Sequence, residues 1–167
     1  GFIRDGQELV YRDSLPVEQQ HTGVQFHTLQ VPRGGEYRLV LPDGSRVWLN
    51  ADSEIRFPAR FNAPERKVWL RGEAYFEVRE NPDQPFIVET GRMETRVTGT
   101  AFNLSVYPGE SQHTTLVSGG VVVTAEGKRV TLQPGFQLFL DARGPEVRQV
   151  DPENFMSWKD RRFVYKN

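Results

Sequence analysis

At 167 residues the chain has the size of one domain and is long enough to bury a core, and its 37% hydrophobic content separates it from disordered chains. A net charge of −1, with Lys and Arg interleaved among Asp and Glu, excludes the basic stripe that nucleic acid or an anionic membrane requires. The lack of cysteine excludes a disulfide scaffold, a thiol nucleophile and thiolate metal ligation.

In chain order, the first strands are expected at 9–11 and 24–29, on either side of a polar stretch. A strand at 37–41 follows, with Tyr37, Leu39 and Leu41 on one face and Arg38 and Val40 on the other. Pro42-Asp43-Gly44-Ser45 then turns the chain into a return strand at 46–50. Alternating or β-branched runs place further strands at 54–57, 67–70, 74–78, 86–89, 94–98, 101–107 and 114–117. The runs 121–124 and 129–132 form a hairpin with Glu126-Gly127 at its tip, where positive φ is required. Gln133-Pro134-Gly135 signals a type II turn into a strand at 136–140, and 146–150 is the last strand. Asp151 as N-cap and Pro152 in the first turn, with Phe155 and Trp158 three apart, start one short helix.

Fifteen Gly and eleven Pro punctuate these runs along the whole length. The expected fold is therefore all-β, either a two-sheet, jelly-roll-like sandwich or a solenoid-like stack of many short strands, with one short helix near the C-terminus. No stretch approaches the roughly 20 apolar residues of a membrane-spanning helix, nor is there a signal-peptide core. Because the chain starts at Gly1 without Met and ends on a strand-like run, it reads as a piece of a longer protein.

Few constellations could carry chemistry. Glu73 and Glu77 share a strand face with Tyr75 between them, a pairing that could serve a glycosidase, although acids on the wet face of a strand are commoner. His21, His27 and His113 are scattered and lack metal-ligand spacing. No serine lies in a nucleophile motif. Gly34-Gly35 and Gly119-Gly120 precede no helix that could hold phosphate, and read as turns or bulges. Trp48, Trp69, Tyr75 and Tyr107 alternate with residues that read as buried. As exposed platforms the first three would suit a partner protein or a sugar; the alternative is that they pack at the ends of the sandwich.

Several of these segments together resemble one family. Val31-Pro32-Arg33-Gly34-Gly35-Glu36-Tyr37-Arg38-Leu39-Val40-Leu41-Pro42-Asp43-Gly44 is similar to the start of the FecR domain of Bacteroidetes-type anti-sigma factors. Gly72-Glu73-Ala74-Tyr75-Phe76-Glu77-Val78, Val97-Thr98-Gly99-Thr100-Ala101-Phe102-Asn103 and Leu132-Gln133-Pro134-Gly135-Phe136 resemble its later motifs, in the same order. Each motif alone is only turn chemistry plus alternation, so the ordered series carries the likeness.

The resemblance implies an N-terminal segment at 1–30 packing on the domain, a FecR-like β domain at 31–150, and a short helix and strand at 151–167 leading to a further domain. It also implies a periplasmic signal receiver, anchored through a transmembrane helix outside this sequence, in a parent anti-sigma factor. Its partners would be the N-terminal signalling domain of a TonB-dependent outer-membrane transporter and, through a cytoplasmic segment, an extracytoplasmic-function sigma factor. No cofactor, metal or catalytic residue is implied. The competing reading is a carbohydrate-binding β-sandwich using Trp48, Trp69 or Tyr75.

Overall fold

A computed structural model describes residues 25–154 and Trp158, together with the backbone of two strands at 2–5 and 8–11. Fifteen strands run in the order β1 (Phe2–Asp5), β2 (Glu8–Tyr11), β3 (Phe26–Val31), β4 (Tyr37–Val40), β5 (Arg46–Leu49), β6 (Ser53–Pro58), β7 (Arg66–Glu77) and β8 (Phe86–Glu89). They continue as β9 (Met93–Val97), β10 (Ala101–Val106), β11 (Gln112–Ser118), β12 (Val121–Ala125), β13 (Lys128–Leu132), β14 (Phe136–Asp141) and β15 (Gly144–Gln149). Of these, only β1 has no counterpart among the expected strands. The expected helix is described in part: Glu153, Asn154 and Trp158 are helical, and the Asp151 carboxylate accepts the Glu153 N–H at 3.1 Å. The rest of that segment, like His21, lies outside the described residues.

The strands make two sheets with one strand in common. The first has the order β1-β2-β4-β5-β7-β10-β11-β14-β15. Pairings place the second as β3-β6-β7-β8-β9-β12-β13. All pairings are antiparallel except β2 with β4 and β7 with β8. The inner faces meet in a single core: Leu39, Val47, Leu49, Phe76, Phe102 and Leu138 from the first sheet pack against Ile55, Phe57, Val68, Phe86, Val88 and Val123 from the second. Phe76 stacks on Phe102, with ring centroids 4.9 Å apart and planes 7° from parallel. This is the sandwich form of the expectation, nearly closed because β7 runs through both sheets.

β7 changes sheets at a glycine. Its N-terminal part pairs with β8 and β6 in the second sheet, and its C-terminal part with β5 and β10 in the first. Between them Gly72 takes φ +100°, and a Cβ there would overlap Ser53 Oγ. That hydroxyl accepts the Glu73 N–H at 2.8 Å. The two strands expected at 67–70 and 74–78 are thus one strand. The Gly that reads as a break is a bend across which pairing passes from one set of neighbours to another. At the tip of the β12–β13 hairpin, Glu126 and Gly127 have φ of 49° and 77°, the positive values expected there.

Candidate docking surface

Side chains on the first sheet that point away from the core form registered rows. One row crosses five strands: Trp48 on β5 lies opposite Tyr75 on β7, Tyr75 opposite Asn103 on β10, Asn103 opposite Thr115 on β11, and Thr115 opposite Gln137 on β14. None of the five is more than 5% exposed. Trp48 meets Tyr75 edge-on, with centroids 5.8 Å apart. Trp158 completes a second apolar cluster with these two rings, flanked by Ala101 and Val117.

A polar chain runs through this surface. The Trp158 indole N–H donates to Asn103 Oδ1 at 2.9 Å. Asn103 Nδ2 donates to Glu73 Oε2 at 3.0 Å, and Asn50 Nδ2 to Glu73 Oε1 at 2.9 Å. Further along, Gln137 Nε2 donates to Thr115 Oγ1 at 2.8 Å. In the neighbouring row His113 packs against Phe139, centroids 5.0 Å apart, and the Arg148 guanidinium lies 3.8 Å from the Phe139 ring centre. Burial holds the His113 imidazole below its ordinary 6.5; Glu73 opposes that shift, Arg148 adds to it and Glu110 opposes it.

Of the aromatic residues that were candidates for exposed platforms or for packing, Trp48 and Tyr75 are buried, at 5% and 2%. Exposure is ruled out for these two for a physical reason: alternation puts them on the outer face, but Trp158 packs against them there. Trp69 is half-buried on the outer face of the second sheet. It meets the exposed Phe26 edge-on at 5.5 Å, and Arg56 lies 4.2 Å from the Phe26 ring centre and 5.3 Å from that of Trp69. The three rings therefore do not combine into one platform. Tyr107 is a loop fastener, its hydroxyl donating to the Ala51 carbonyl at 2.8 Å.

The two acids expected as a possible pair are separated by role. Both Glu73 oxygens accept amide N–H groups, whereas Glu77 is exposed beside a shallow cavity of about 500 Å³ that Arg46, Arg79 and Thr100 also line. Among the described residues no group of three or more His, Asp or Glu could hold a metal. Sequence reasoning missed the Asn50 and Asn103 amides. A readable signal existed for Asn103, since an Asn between Phe102 and Leu104 inside a strand is disfavoured unless its amide is engaged.

Fold and surface together define a class: an all-β two-sheet domain whose first sheet carries a buried row of aromatic and amide side chains on its outer face. Residues 27–134 match the family described as FecR protein, and the chain belongs to that family. Two crystal structures of a candidate anti-sigma factor from Parabacteroides distasonis ATCC 8503 share its fold. One, at 2.50 Å, is 28% identical with a TM-score of 0.78, covering 80% of this chain and 64% of that one. The other, at 1.65 Å, is 29% identical with a TM-score of 0.77, covering 79% and 64%. This chain thus spans under two thirds of those solved chains. No curated protein matches it significantly.

Proposed function

We propose that this domain is the periplasmic signal-receiving part of a transmembrane anti-sigma factor. It relays the state of a TonB-dependent outer-membrane transporter to an extracytoplasmic-function sigma factor. The observation that carries this reading is the FecR family match over residues 27–134, seconded by the likeness to the candidate anti-sigma factor.

The fold is suited to receiving a partner rather than transforming a substrate. β3 and β13 end the second sheet, and β15 ends the first. Strands at such ends carry backbone N–H and C=O groups that can pair with an incoming strand. Signal then passes as a shift between states that the partner binds unequally. The test is calorimetric titration of the whole periplasmic portion with the purified signalling domain of the cognate transporter. Heat of binding is expected at protein concentrations of about 100 μM, where complexes worth roughly −5 kcal/mol are detectable. No heat at that concentration and above would count decisively against the relay.

A further inference from the structure

In a two-sheet block one face of each sheet is dry and the other is ordinarily wet. The first sheet departs from this. Its outward row of Trp48, Tyr75, Asn103, Thr115 and Gln137 is as buried as the core, and the described residue lying over it, Trp158, comes from the chain beyond β15. Trp158 is itself 5% exposed.

The polar chain beneath it has a direction. Glu73 accepts from Asn50 with one oxygen and from Asn103 with the other, so the Asn103 amide must turn its nitrogen towards Glu73. Its oxygen is left facing outward as an acceptor, and the Trp158 N–H fills it. Neither Phe nor Met could do so, because neither carries a donor. Trp48 and Tyr75 supply the apolar walls for the ring. Residues from β5, β7 and β10 thereby converge on one indole.

We propose that this face is an intramolecular docking site, and that Trp158 is a clasp fastening the chain beyond β15 to the outside of the first sheet. The clasp is separate from the core between the sheets, so it opens without unfolding the domain. Opening uncovers Trp48, Tyr75 and Asn103. Its use in signalling rests on the relay reading; its existence does not.

Nuclear magnetic resonance of the 167-residue chain tests it, since each of the three Trp residues contributes one indole N–H signal. Trp158→Phe identifies the Trp158 signal by deleting it. That N–H is expected to be protected from solvent exchange, and Asn103→Ala to reduce its protection about fivefold or more, the scale of one lost hydrogen bond. Trp158→Ala is expected to keep a single cooperative melt while the Trp48 N–H becomes solvent-exchangeable. An unprotected Trp158 N–H, or protection unaffected by Asn103→Ala, overturns the clasp. So does a Trp158→Ala chain that fails to fold, because Trp158 would then belong to the core. None of these results bears on transporter binding, so the two readings fail separately.

Discussion

Arg66 is 1% exposed, unusual for a residue with a permanent charge. Its Nη1 donates to Asp43 Oδ2 and to the Arg79 carbonyl, both at 2.8 Å, its Nε to the Gln84 carbonyl at 2.7 Å, and its Nη2 to the Thr98 carbonyl at 3.3 Å. One planar guanidinium thus ties the 41–45 turn to the 78–85 and 98–100 loops, geometry that Lys cannot reproduce. Arg66→Met should destabilise the domain by about 3 to 5 kcal/mol, because it takes the cation from a largely buried carboxylate and a donor from the Arg79 and Gln84 carbonyls; a loss under about 1 kcal/mol in urea unfolding would refute the hub. His113 is the residue with a pH consequence. Since burial lowers its folded pKa below 6.5, the unfolded chain binds the proton first as pH falls. Its contribution to stability is full above pH 6.5 and is lost as pH drops through the lower folded value. Between pH 7.5 and 5 the wild type should lose more stability than His113→Gln; parallel losses would sink the assignment.

At the scale of elements, alternation and turn chemistry were enough to place nearly every strand from β3 onward, because each strand has one face against the core and one turned away. The 86–89 strand coincides with β8, and most others differ by a residue or two at their ends. β7 is the informative exception. A local reading sees Gly72 as an interruption, while the structure uses it to bend one strand between two sheets. Gly72→Ala would combine a disfavoured positive φ with a clash against Ser53. It should cost about 3 kcal/mol or more, measured by denaturant unfolding, with Gly91→Ala, where a Cβ meets nothing within 4 Å, as the tolerant control. Equal effects at the two sites would show that Gly72 is not the hinge of the sheet.

For the whole molecule, a strand common to both sheets predicts that neither sheet unfolds alone. In the Trp158→Phe variant, far-ultraviolet circular dichroism, which follows the strands, and tryptophan fluorescence, which there follows Trp48 and Trp69 on opposite sheets, should give one coincident transition. Two separated midpoints would contradict the shared core. Family membership was also legible early, since the ordered motifs from Val31 to Phe136 largely coincide with the matched 27–134 segment. Most of the docking face was not. Glu73, Tyr75, Trp48 and Trp158 could each be assigned to a strand or helix, but 55 residues separate Trp158 from Asn103, and no local pattern says that they meet.

What the amino-acid order determined by itself is most of the strands, their inward faces and the turns between them, because backbone pleating and turn sterics act over two to four residues. Only the tertiary structure decided that an outward row of the first sheet is buried, that Arg66 is enclosed and that Glu73 anchors an indole acceptor. Those outcomes depend on which distant segment covers which face, and that is settled when the sheets pack.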